Sequence, residues 1–173
     1  MLTPTKIKIH KAVPDQKESG DFADCPQPVY DVLSVVLATD EHRSLSTYKF
    51  RLLFKKKISH RKGRRTLATV KILSPQERLI SDGADILIVI DWFFWMGNPE
   101  KQEPLLFHEL CHLQLDEESN LVSVGHDLEE FRAVIEKYGD WNRDVLPFAK
   151  AIKQFDLFEL GEKTNAVITA MEA

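Results

Sequence analysis

The 173 residues suffice for one domain with a hydrophobic core, and 43% apolar with 29% charged residues is an ordinary globular balance. Met1 to Val13 is interrupted by Lys6, Lys8, His10 and Lys11, and the most apolar run, Ile86 to Met96, is broken by Asp91. Neither a secretory signal nor a membrane span is expected, so the reading is a cytoplasmic protein without membrane contact. The formal charge of −4 conceals a split: Lys49 to Lys71 holds ten Lys or Arg and no acid, leaving 13 basic against 27 acidic residues elsewhere. One positive surface on an acidic body is the expectation.

Residues 1–27 are mixed polar and punctuated by Pro4, Pro14 and Pro26, which reads as an N-terminal arm; residues 28–173 read as a single domain. Val29, Val32, Leu33, Val36 and Leu37 follow helical spacing and predict a first helix that ends near Thr39 or Asp40. Tyr48 to Phe54 and Thr66 to Ile72 are β-branched or aromatic and flank His60-Arg61-Lys62-Gly63-Arg64. They read as the two arms of a basic hairpin. Ser74 to Ile80 suggests a short helical turn, and Ala84 to Ile90 a third strand buried on both faces.

Asn98-Pro99 is a helix start with asparagine as cap. Pro104 then sets two alternatives: the main helix begins there, or two short helices meet there. The helix is expected to run to about Leu115, with Leu106, Leu110 and Leu113 on its core face. Asn120 to Val124 reads as extended, Asp127 to Tyr138 as a helix, and Asp144 to Phe158 as the last one.

Within the main helix stands His108-Glu109-Leu110-Cys111-His112, an H-E-x-x-H sequence. Four residues make just over one turn, so the two imidazoles stack on one face and can share a tetrahedral Zn2+ ion. Glu109, one position on, projects beside that ion and suits a general base. Zinc lowers the pKa of bound water to about 7 and polarises a carbonyl, and a carboxylate at this place takes the proton. The plain alternative, three polar residues on a solvated helix face, competes poorly with this joint pattern on a leucine-flanked helix.

A catalytic zinc wants a third protein ligand and an open position. Gly125-His126-Asp127-Leu128-Glu129-Glu130 supplies candidates. His126 is preferred as ligand, with Glu130 or Asp127 as a hydrogen-bonding partner for the histidines; Glu130 or Glu129 is the alternative ligand. Leu115 and Glu118 exclude the extended metzincin pattern.

His108-Glu-Leu-Cys-His112, then Gly125-His126-Asp127-x-Glu-Glu-Phe131 and Tyr138-Gly139-Asp140-Trp141, resemble the putative phage metallopeptidase family. The second motif also resembles the His-x-x-x-Phe element of SprT-like zinc proteases, in which the histidine is the third ligand. The resemblance implies an α+β, zincin-like fold: a small, mostly antiparallel sheet packed on the H-E-x-x-H helix, with further C-terminal helices. It implies a phage or prophage origin, a bacterial host cytosol, and a protein or peptide substrate. The tryptophan-rich Trp92-Phe93-Phe94-Trp95, the N-terminal arm and the basic segment depart from the pattern.

Lys55, Lys56, Lys57, Arg61, Lys62, Arg64 and Arg65 are candidates for DNA or RNA phosphate contact; lysines guarding a sheet edge are the plainer account. This segment sustains a rival reading, a non-catalytic zinc protein that binds nucleic acid. Trp92 to Trp95 reads as packing at a strand end, and Tyr138 as a possible oxyanion donor. His42 and His60 read as surface residues, and Cys111 as a small buried hydrophobe.

Overall fold

The structure is a computed structural model, and it describes residues 18–61, 63–125, 132–139 and 141. The chain divides into two compact units, residues 1–126 and 127–173. The first unit opens with two short strands, β1 (Glu18–Ser19) and β2 (Phe22–Asp24), and then α1 (Gln27–Leu37). Pro28 lies in the first turn of α1, where a missing N–H goes unneeded, and Val29, Tyr30, Leu33, Val36 and Leu37 are its buried stripe. A 3₁₀ turn (Arg43–Thr47) leads to β3 (Phe50–Lys55), β4 (Ser59–Arg61), β5 (Arg64–Thr66) and β6 (Ala68–Ile72). Next come α2 (Pro75–Ile80), β7 (Ile86–Asp91) and α3 (Trp92–Gly97). A 3₁₀ turn (Pro99–Lys101), α4 (Gln102–Cys111), β8 (Leu113–Leu115) and β9 (Leu121–Ser123) complete the unit.

Five strands form the main sheet in the order β1-β2-β3-β7-β6. The β3–β7 pair is parallel and the other three pairs are antiparallel. The result is a mixed α+β arrangement with a mostly antiparallel sheet. Tyr48–Phe54 and Thr66–Ile72 do not pair with one another, contrary to the hairpin reading. Between them lies β7, whose Ile86-Leu87-Ile88-Val89-Ile90 is the most apolar strand and takes the position with partners on both edges. The true hairpin is the small β4–β5 pair, which turns through Gly63 at φ +78°.

Strand alternation gives the sheet two unlike faces. On one, Phe50, Leu52 and Phe54 of β3 align with Ile86, Ile88 and Ile90 of β7, all buried. Tyr30 ties α1 to this layer: its hydroxyl accepts the Leu52 N–H at 3.0 Å, just beyond the end of the β2–β3 ladder. Burial pushes the Tyr30 hydroxyl up to a pKa of about 12, against the Leu52 N–H bond, which favours the phenolate and pulls it down. The opposite face carries Arg51, Leu53, Lys55, Leu87 and Val89, each only half-buried. Arg51 makes a 3.0 Å ion pair there with the buried Asp24.

α2 carries a full capping box, with Ser74 accepting the Glu77 N–H and the Glu77 carboxylate accepting the Ser74 N–H. Among the described residues no helix is long and apolar enough to cross a membrane. In the second unit, α5 (Arg132–Tyr138) buries Val134 and closes on Gly139, whose N–H donates to the Ile135 carbonyl at φ +63°. The start of the helix predicted from Asp127 and all of the Asp144–Phe158 helix lie outside the described residues.

Candidate metal centre

The site begins with an unusually buried helix. The 3₁₀ turn Pro99–Lys101 runs directly into α4, and Pro104 occupies the first turn of α4, where no intrahelical donor is needed. The two helical segments therefore join at Lys101–Gln102 rather than at Pro104. From Pro104 to Leu113 every residue is buried except His108 and His112, which are both half-exposed. A helix apolar on nearly all sides belongs to a core, and beyond its first two residues this one opens to the outside only along the line of its two imidazoles.

α4 ends earlier than its leucine pattern suggests. His112 is the helical C-cap residue, at φ −70° and ψ −7°, and Leu113–Leu115 turns into β8 instead of extending the helix to Leu115. Antiparallel pairing with β9 takes over, Leu113 opposite Ser123 and Leu115 opposite Leu121. One residue beyond this ladder the chain meets His112 again. The Val124 N–H donates to the His112 carbonyl at 2.8 Å, and His112 Nδ1 lies 2.8 Å from the Val124 carbonyl oxygen.

That second contact sets the tautomer. A carbonyl oxygen only accepts, so Nδ1 carries the proton, and the lone pair of the neutral ring is on Nε2. Such a backbone bond behind a histidine is the usual way of orienting an imidazole toward a metal. The ring centres of His108 and His112 are 5.2 Å apart, with the planes at 79°. Two imidazoles on one tetrahedral ion, each nitrogen about 2.1 Å from it, have centres about 5 Å apart. The pair fits a shared zinc ion.

Glu109 is only 4% exposed, against two half-exposed rings beside it. Its carboxylate is thus set into the helix surface, shielded from bulk water. Behind the helix, His42 overturns its reading as a surface residue. It is 4% exposed, its ring meets Phe107 edge-on at 4.5 Å, and its Nε2 lies 3.8 Å from Cys111 Sγ. The loop after α1 folds it under α4, a placement that no local spacing reveals. Cys111 is buried toward His42, in keeping with its reading as a packing residue.

Among the described residues no set of three or more His, Cys, Asp or Glu side chains is arranged to hold a metal. The pair His108–His112 supplies two donors. His126, Asp127 and Glu130 lie outside the described residues, although Val124, bonded twice to His112, is only two positions before His126 in the sequence. Tyr138 ends α5 in the second unit, with Lys137 Nζ 5.5 Å from its ring centre.

The basic candidates separate from one another. Lys55, Lys57 and Arg61 line one cavity. Arg65 is engaged with Asp91, Lys56 and Arg64 are exposed, and Lys62 lies outside the described residues. Trp92–Trp95 opens α3 (Trp92–Gly97) directly at the end of β7: Trp95 is buried 6.2 Å from Phe54 between ring centres, in keeping with packing at a strand end, and Phe93 is half-exposed. The helix is started by Asp91, which accepts the Phe94 N–H at 3.0 Å. Its signal in the sequence was the lone acid that breaks the apolar run.

Two imidazoles with a carboxylate beside them on one helix are a donor set that suits a metal. A model of the putative phage metallopeptidase family matches residues 22–153, and the chain belongs to that family. No curated protein and no solved structure matches the chain.

Proposed function

We propose that the protein is a zinc-dependent endopeptidase with a zincin-type site, in which His108, His112 and His126 hold the metal and Glu109 is the general base. The observation that carries this is the buried stretch from Pro104 to Leu113, in which only the two histidines reach toward solvent. Zinc, when bound, supplies Lewis-acid polarisation of the scissile carbonyl and acidifies water to a pKa of about 7. Glu109 takes the proton of the attacking water and delivers it to the leaving amine, a role worth about 10²–10⁴-fold in rate. Such a base needs hydrogen-bond reach rather than broad exposure, and shielding from bulk solvent keeps that proton within the site. The Val124 carbonyl keeps the His112 ring in one tautomer and orientation.

His126 is the third ligand in this reading because it follows Val124 closely. Asp127 or Glu130 would then support a histidine, and Tyr138 would donate to the oxyanion. A bacterial host cytosol suits the absence of any disulfide framework in the sequence. Glu109→Gln is the decisive variant. Its zinc content, measured by metal analysis, stays at the wild-type level, while casein cleavage falls at least about a hundredfold. Unchanged cleavage would overturn the assignment of Glu109. Turnover of cell-wall amides without casein cleavage would move the substrate away from peptides.

A further inference from the structure

A cavity of about 320 Å³ lies on the half-buried face of the sheet, beneath the β4–β5 hairpin. Lys55, Lys57 and Arg61 line it, as do the hydroxyl-bearing Ser59, Thr66 and Thr69. Among the described residues its only carboxylate is Asp91, and that charge is already committed. Arg65 holds it through two bonds, Nε to Oδ2 at 2.8 Å and a terminal nitrogen to Oδ1 at 2.7 Å. Among the described residues no carboxylate pairs with Lys55, Lys57 or Arg61. Lys55 instead donates to Ser59 Oγ at 2.6 Å and lies 5.7 Å from the centre of the Phe22 ring, its cross-strand neighbour. Three uncompensated cations therefore face one concave space whose remaining wall is apolar, made by Phe22, Leu67, Ala68 and Val89.

Like charges around a low-dielectric concavity repel one another and focus a positive field into it. The arrangement is stabilised when an anion enters. A single carboxylate would neutralise one of the three cations. A phosphate monoester brings a charge of about −1.5 to −2 and three acceptor oxygens, which match the cations and hydroxyls together. The apolar wall, with Phe22 39% exposed, provides a surface for a flat ring. The volume is at the lower end of small-ligand pockets, enough for one such unit.

From this geometry we infer that the cavity binds a mononucleotide unit, its phosphate on Lys55, Lys57 and Arg61 and its base against Phe22. The site is independent of the metal centre and needs no zinc. A free nucleotide and the 5′-phosphorylated end of a strand present the same chemistry.

Calorimetric titration of the full chain with adenosine 5′-monophosphate tests the assignment, with adenosine, inorganic phosphate and a short oligoglutamate as comparisons. Saturable binding of the nucleotide is expected, with the nucleoside, free phosphate and peptide each weaker. Lys57→Gln and Arg61→Gln, both at exposed positions, each lower nucleotide affinity about tenfold, with the thermal midpoint unchanged. Comparable affinity for a 5′-phosphorylated trinucleotide identifies a strand end as the source, and its rejection identifies the free nucleotide. Absence of saturable nucleotide binding, affinity unmoved by both substitutions, or tighter binding of oligoglutamate would each overturn the inference.

Discussion

The metal-centre helix and the basic segment are the two chemically marked stretches of this chain, and they relate to their sequences in opposite ways. In α4, residues four apart in sequence remain neighbours in space, and the helical turn alone brings His108 and His112 to 5.2 Å between ring centres. Lys49–Lys71 is equally conspicuous on paper, yet its charges end on two strands, a hairpin and the loops beside them, one of them consumed by Asp91 and three collected around a cavity. A motif whose period matches its secondary structure survives folding as a unit. A motif defined only by charge density is redistributed by topology.

The sharpest way to break this contrast is at the tertiary contact that orients the His112 ring. Val124→Pro removes the N–H that donates to the His112 carbonyl and disturbs the bond to Nδ1. Zinc affinity, measured by competition with a chelator, is expected to fall about 10–100-fold. An unchanged affinity would mean that the helical turn by itself orients the ring.

In the basic segment the larger effect belongs to Arg65→Ala, which strands the buried Asp91 carboxylate. A wholly buried pair broken on one side costs about 3–5 kcal/mol, but Arg65 is about a third exposed. Solvent screening reduces the expected loss to about 2 kcal/mol in urea unfolding at neutral pH. The gap between wild type and variant also depends on pH. Burial raises the Asp91 pKa, but the Arg65 bonds and the Phe94 N–H outweigh it and hold the carboxyl below its ordinary value. The pair's contribution is therefore full above the unfolded carboxyl pKa of about 3.9 and fades as pH falls below it. Curves for the two proteins that stay apart at the lowest pH would refute the pairing as the source of the difference.

The smallest effect lies outside both regions. Ser74→Ala removes the cap of α2 and is expected to cost about 1 kcal/mol, with zinc and nucleotide affinity unmoved. A change in either affinity would show that α2 communicates with a site.

α1, α2, β7 and β9 were legible because each announces itself within a few residues: an apolar stripe, a Ser-Pro-x-Glu capping box, an isoleucine-rich run, a short extended piece after a polar loop. The end of α4 was not, because Leu113 and Leu115 suit a helix as well as a strand, and their pairing with Ser123 and Leu121 decides between them. The pairing of Tyr48–Phe54 with Thr66–Ile72 was misread for a related reason. Both segments carry strand signals, but strand signals do not name a partner, and β7 competes for both edges.

By itself the amino-acid order determined the histidine pair and the neighbouring carboxylate, which depend on spacing within one turn of helix, and the family, whose model matches residues 22–153. Tertiary structure alone decided that Pro104 to Leu113 is buried at every residue but the two histidines, that Val124 sets the His112 tautomer, and that His42 lies beneath the helix. It alone also pairs Arg65 with Asp91, leaving Lys55, Lys57 and Arg61 around a common cavity. Those outcomes join residues from about a dozen to seventy positions apart, and such contacts are selected by the burial and hydrogen bonding of the whole sheet rather than by any local periodicity.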